Sequence, residues 1–177
     1  MFAQVSIKTG GIFFAKDFSK EIALYNAKTF LIKDVLGQTN ELIQFEIDPL
    51  AASNSGELTS LVYRCPSKKK EGLILGFYGL RWNDAGVNYQ AYAFKDLPTK
   101  EANELLDKIE EVTKDNSKYI DSDPDNNNIY FQYDDITILI YNTISSTKLR
   151  VFWNGFDSEW EWSTFKKTKK RLLKKLK

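Results

Sequence analysis

Three of the four tryptophans in this chain, Trp153, Trp160 and Trp162, fall within ten residues, WNGFDSEWEW at 153–162. Three carboxylates, Asp157, Glu159 and Glu161, are threaded between them. Aromatic rings at that density can stack on a sugar or a nucleobase. Paired carboxylates can act as the acid and base of a glycosidase, but such a pair needs a defined separation and unlike pKa values. Sequence neighbours rarely provide these, which argues against Asp157/Glu159/Glu161 and equally against Asp134-Asp135. The run DSDPDNNNIYFQ puts Asp121, Asp123 and Asp125 at the first, third and fifth positions of a calcium loop. Asn126 and Gln132 stand where that loop needs Gly and Glu, so a solvated polar loop is expected and no metal is assigned.

The chain has no histidine. This removes Ser-His-Asp and Cys-His catalysis and histidine-ligated metal centres. The one cysteine, Cys65, cannot close an intrachain disulfide and has no histidine to activate it. The glycines form neither a G-x-G-x-x-G nor a P-loop pattern. No catalytic residue and no cofactor is assigned. An enzyme built from this chain would have to work through carboxylates, lysine or a Ser-Lys pair.

Charge is unevenly placed. Residues 166–177, KKTKKRLLKKLK, hold eight bases and no acid, whereas the other 165 residues carry 17 bases against 24 acids. An acidic body thus carries a basic tail. Such a run is usually the solvated face of an amphipathic helix. It is also the charge a phosphate polymer or an anionic surface would seek. The candidate binding residues are Trp160, Lys167, Lys170, Arg171 and Lys174 at this end, with Trp153 and Trp82 as further aromatic contacts. The expected function is that of a non-enzymatic binding or interaction protein, with a protein or small ligand as partner. Nucleic-acid or anionic-surface binding through the basic helix is the alternative, and a histidine-independent enzyme the third possibility.

The elements that position these residues can be read from periodicity. At 177 residues, 42% hydrophobic and 28% charged, the chain suits one globular domain over 1–177 with its own core. No apolar run approaches the roughly 18 residues of a membrane helix. The start, MFAQ, matches either the remnant of a cleaved signal peptide or a cytoplasmic N-terminus, and the compartment stays open.

QVSI, GIFFA, TFLIKDVL and ELIQFEI read as short strands, SKEIALYNA as strand or helical turn, and 48–57 as a loop. Strands at 58–65, 73–82 and 87–95 form an antiparallel meander. Ala102, Leu105, Leu106, Ile109 and Val112 share one helical face, which defines a helix over 99–115 with Thr99 as N-cap. Further strands follow in IYFQY, ITILIY and 149–153, with a hairpin turn at Asp134-Asp135. The two halves rhyme loosely, three strands and a helix in each, with a strand ending in Trp-Asn at 82–83 and 153–154.

The stretch 156–162 supports two readings. Asn154-Gly155 is a strong hairpin signal, after which Phe156, Ser158, Trp160 and Trp162 would share one strand face. Alternatively, Ser158 and Glu161 form a capping box for a helix over 158–176. The helix reading accounts for more of the chain and is adopted; it leaves Trp160 partly exposed unless another segment covers it. The expected architecture is α+β: a mainly antiparallel, aromatic-rich sheet with two principal helices, about 99–115 and 158–176, packed on it.

Overall fold

The computed structural model describes residues 23–82 and 84–176, with Trp82 through its backbone alone. The expected strands QVSI and GIFFA lie outside the described residues. The fold is α+β, with two antiparallel four-stranded sheets rather than one. Each sheet is a meander in chain order. The first comprises β1 (Glu46–Ala52), β2 (Leu58–Cys65), β3 (Lys70–Trp82) and β4 (Asn88–Pro98). The second comprises β5 (Asn128–Tyr133), β6 (Ile136–Asn142), β7 (Thr147–Trp153) and β8 (Phe156–Glu161). Helix α1 (Ala23–Phe30) runs into a π-helical turn at Leu31–Leu36 before the first sheet. Helix α2 (Thr99–Asp115) and the short α3 (Ser117–Ser122) link the sheets, and α4 (Trp162–Lys175) follows the second. The loose rhyme of the halves is therefore four strands and a helix, and the third strand of each ends at a tryptophan, Trp82 and Trp153.

The first sheet is buried on both faces. Leu58, Val62, Leu73, Leu75, Phe77 and Leu97 join a core with α2, α4 and the inner face of the second sheet. Their strand neighbours Leu61, Tyr63, Cys65, Ile74 and Phe94 pack on the opposite side against Ala27, Leu31 and Val35. This explains why β2, LTSLVYRC, reads as a nearly continuous apolar run. It also explains the helical conformation of 29–36, where a strand was expected. Ala23, Ala27, Leu31 and Val35 are spaced by four and all buried, and a helix can lay that row across the sheet. β1 extends through Pro49 into the expected loop. It is an edge strand, and its register shifts between Pro49 and Ala51, the setting in which a strand tolerates proline.

Helix α2 has the expected bounds, and Ala102, Leu105, Leu106 and Ile109 are buried. Thr99 does not cap it; its hydroxyl donates to the Glu71 carbonyl at 3.0 Å. The adopted helix over 158–176 is corrected at its start. Asn154 and Gly155, at φ 49° and 74°, turn the chain back, and β8 pairs with β7 from Trp153↔Phe156 to Lys148↔Glu161. Phe156, Ser158 and Trp160 then face inward, and the helix begins only at Trp162. Trp160 is 1% exposed and meets Phe165 edge-on at 5.4 Å. Burying a tryptophan and a phenylalanine, each worth about 1.5–3 kcal/mol or more, outweighs a capping box worth roughly 1 kcal/mol. The Ser158 hydroxyl is left buried with no hydrogen-bond partner. Glu161 instead accepts a hydrogen bond from the Asn54 amide at 2.9 Å, which ties β8 to the loop before β2.

The two geometries of this stretch make opposite demands. Ser158→Ala removes an unsatisfied buried hydroxyl and should raise stability by about 1 kcal/mol. Gly155→Ala forces a side chain into left-handed backbone beside the Arg81 guanidinium, 2.5 Å from the added carbon, and should cost about 1–2 kcal/mol. Urea denaturation of both variants measures this. A loss on Ser158→Ala with Gly155→Ala neutral would contradict the strand.

Candidate functional site

The tryptophans singled out by the sequence are largely core residues. Trp160 is sealed, and Trp153 is buried against Phe77 at 5.0 Å between ring centroids. The Trp153 indole nitrogen donates to Asp135 Oδ2 at 2.9 Å. Burial alone would raise the Asp135 carboxyl. Hydrogen bonds from Lys95, at 2.6 Å, and from Trp153 outweigh this and hold it below its ordinary value. Asp134-Asp135 is thus a hairpin turn that anchors Lys95 of the first sheet to the second. The Trp82 side chain lies outside the description.

The basic helix divides into two sets. Lys169 reaches Asp107 at 2.8 Å and also pairs with Glu110, which clamps α4 to α2. Arg171 donates to the Leu50 carbonyl, and Lys175 pairs with Asp48 at 2.7 Å. These three belong to the body. Lys167, Lys170 and Lys174 form an exposed row with Lys166, whose ammonium lies 5.5 Å from the Trp162 ring centre. Among the described residues no carboxylate pairs with any of these four. Leu173 lies in the same row at 44% exposure. Of the five residues singled out on the tail, the structure therefore places Lys167, Lys170 and Lys174 together. It ties Arg171 to the Leu50 carbonyl of β1 and buries Trp160.

The outer face of the second sheet carries a surface that sequence reasoning missed. Ile136, Ile138 and Ile140 of β6 face the core, and Thr137, Leu139 and Tyr141 face outward. Cross-strand pairing places Tyr130 of β5 opposite Leu139, and Phe152 of β7 opposite Thr137. Tyr130 is 76% exposed and Phe152 36%, and among the described residues no element packs over them. The signal was present in ITILIY, where both faces are apolar although only one is covered. Toward β8 the face becomes charged but self-paired, with Lys148–Glu159 and Arg150–Asp157 both at 2.7 Å. Hydrogen bonds to Glu159 and Asp157 raise the pKa of Lys148 and Arg150 respectively.

A third place lies at one end of the first sheet, on its α1 side. A cleft of about 340 Å³ is lined by Tyr63, Lys69, Lys70, Glu71, Asp96, Pro98 and Thr99. Asp96 shares a strand face with Tyr92 and Phe94, an arrangement legible in NYQAYAFKDLP as a carboxylate in line with two aromatics. Burial pushes the Asp96 carboxyl above its ordinary value, and nearby Glu101 adds to this, while Tyr63, Lys70 and Lys95 pull it back. One of its oxygens, Oδ1, is sealed from solvent and accepts no hydrogen bond. Burial, with Asp96 beside it, likewise raises the Tyr63 hydroxyl. A separate groove of about 610 Å³, bordered by Leu36, Ile43 and Phe45, has Glu41 as its single ionisable lining residue.

An α+β protein of two four-stranded meanders, with these three surfaces, is what the geometry defines. No protein-family model, no curated protein and no solved structure matches this chain.

Asp96 makes a testable electrostatic statement. Its pKa is higher in the folded than in the unfolded chain, so the folded state holds the proton more tightly. Its contribution to stability is complete below the unfolded value, about 3.9, and is lost as pH rises through the folded value. Asp96→Asn, neutral at every pH, should therefore raise Tm at pH 7. The gain should vanish on acidification below about pH 3.9. Thermal melts of both proteins across pH measure it, and a lower Tm for the variant at pH 7 would contradict the assignment.

Proposed function

We propose that this is a non-enzymatic binding protein whose partner seats on the open face of the second sheet. The observation that carries this reading is the contiguous, uncovered group Tyr130, Leu139, Tyr141 and Phe152 on an otherwise close-packed fold. Apolar surface left in water forgoes roughly 25 cal/mol for each Å² that could be buried. A contiguous group of this kind is the usual signature of an interaction site. The cations on this face are neutralised by their own neighbours, so the face suits an apolar protein surface better than a phosphate polymer. The chain's lack of histidine removes histidine-based catalysis.

The second reading places an anionic partner on α4. It is favoured by the division of its bases: among the described residues no carboxylate pairs with Lys166, Lys167, Lys170 or Lys174, although the body carries an excess of acid. The row spans eight residue steps, or about 12 Å of helix.

Two variants separate the readings. Tyr130→Ser/Phe152→Ser alters only partly or fully exposed positions and should keep the fold within about 0.5 kcal/mol. Affinity capture with parent and variant should yield a partner that the variant loses. Partners bound equally by both would contradict the open-face reading.

The quadruple change of Lys166, Lys167, Lys170 and Lys174 to Gln addresses the other. Under the α4 reading the parent binds single-stranded nucleic acid or anionic vesicles. For nucleic acid the affinity falls with salt at a log–log slope of about −3, as four cations predict. The quadruple variant loses most of it. Weak, salt-insensitive binding by the parent would exclude the α4 reading.

A further inference from the structure

The two sheets have four edges, formed by β1, β4, β5 and β8, and three of them are blunted. β1 carries Pro49 and a shift in register, and its Leu50 carbonyl accepts a hydrogen bond from Arg171. β4 carries Lys95 and Asp96 and ends at Pro98. At β8 the Glu159 amide is given to the Glu57 carboxylate at 2.9 Å. Proline, bulges and charges are the usual means by which a sheet edge is kept from pairing. β5, NIYFQY, has none of them: it holds no charge, no proline and no glycine, and its register with β6 is unbroken.

The register fixes which groups this edge presents. The two-residue turn at Asp134-Asp135 makes Tyr133 and Ile136 a hydrogen-bonded pair. Bonded and non-bonded pairs alternate along an antiparallel ladder, so Phe131 and Ile129 also bond to β6. Asn128, Tyr130 and Gln132 therefore turn their N–H and C=O groups outward, and no main-chain partner meets them there among the described residues. The same edge leaves apolar side chains incompletely covered on both faces. Tyr130 is exposed on the outer face, and Ile129 and Phe131 are only partly buried on the inner one.

We propose that β5 pairs with β5 of a second copy of this chain, antiparallel about a two-fold axis at Tyr130, which joins the two second sheets into one of eight strands, four from each copy. The edge needs a strand with unpaired amides of its own, and the chain itself supplies one. Asn128 then faces Gln132 of the second copy, Tyr130 faces its own counterpart, and Gln132 faces Asn128. Each of these three pairs exchanges two main-chain hydrogen bonds, about six in all. Tyrosine meets tyrosine between two amide pairs on the outer face, and Ile129 meets Phe131 on the inner one. No like charges meet within the strands, because β5 carries none. Beyond the strand ends, Asp134 and Asp135 come beside Asn126 and Asp125 of the second copy, and Lys95 holds both turn carboxylates. The contact is isologous and closes at two copies, because the other edges are blunted. The apolar face stays uncovered, so the pairing stands or falls apart from the partner proposed for that face.

The test is sedimentation velocity of the full chain from the low micromolar to the millimolar range, with amide hydrogen exchange read at Asn128, Tyr130 and Gln132. The mass should rise from one chain to two with concentration, and exchange at these three amides should slow in step with it. Asn128→Lys/Gln132→Lys sets lysine opposite lysine in both flanking pairs. It should keep the Tm of a surface variant and stay monomeric. Asn128→Lys/Gln132→Glu changes the same positions but sets lysine opposite glutamate in this register, and it should dimerise at least as well as the parent. Phe152→Ser, on the open face but away from the edge, should dimerise as the parent does. A parent that stays monomeric at millimolar concentration would overturn the proposal, as would growth beyond two copies. Undiminished dimerisation of the double-lysine variant, a monomeric lysine–glutamate variant, or loss of the dimer in Phe152→Ser would each place the contact elsewhere and overturn it too. Slow exchange at the three amides in a monomeric protein would mean that the chain covers its own edge, with the same consequence.

Discussion

Phe77 of the first sheet stands against Trp153 and Phe156 of the second, with ring centroids 5.0 and 6.1 Å apart, and this contact decides what the remaining surfaces can be. It joins two meanders that would each be a thin, half-wetted sheet alone. Once joined, the inner face of the second sheet is closed by the first sheet, α2 and α4. The Trp160–Phe165 contact then fixes α4 beneath the junction, because β8 passes directly into the helix at Trp162. A capping box at Ser158 would have pulled Trp160 out of this cluster. The local preference lost because the tertiary contact is worth several times more.

The asymmetry of the two sheets follows. α1 and its π-helical turn cover the far side of the first sheet, so that β2 and β3 are sandwiched. Among the described residues nothing comparable covers the second. Its strands nevertheless carry apolar side chains on both faces, which is costly unless something binds there. The ion pairs toward β8 limit the apolar area to the β5–β6 half and leave little net charge on the face. On the proposed reading, both features suit a partner recognised by shape and apolarity rather than by long-range attraction.

Legibility from sequence tracks how local each determinant is. α2 was legible to both ends, since its periodicity, acidic start and flanking proline all point the same way. β2 was likewise legible in full. The segment 29–36 was not, because a short apolar run with branched residues fits strand and helix alike, and only the sheet beneath it selects the helix. The β8–α4 boundary carried two valid local signals, the Asn-Gly turn and the capping box, and no local rule ranks them. The partition of the basic helix was hidden for a related reason. Lys169, Arg171 and Lys175 differ from Lys166, Lys167, Lys170 and Lys174 only in which neighbour stands beside them, and those neighbours come from β1 and α2, about 60 to 130 residues away in the chain.

The three surfaces differ in what they cost the free protein, and this orders them. A lysine in water costs the fold almost nothing, and surface ion pairs return at most about 1 kcal/mol, so four unpaired lysines are compatible with any history of selection. An exposed aromatic group on a sheet forgoes burial that a smaller or polar residue would not miss. A carboxylate sealed at one oxygen, with no donor, is worse than neutral: an uncharged isostere would serve the fold better. Positions that oppose stability need another reason to persist, and stability is most often traded at sites that act. By that measure Asp96 and the Tyr130–Phe152 face are better candidates for a functional role than the basic helix, whose charge is its most conspicuous feature in the sequence.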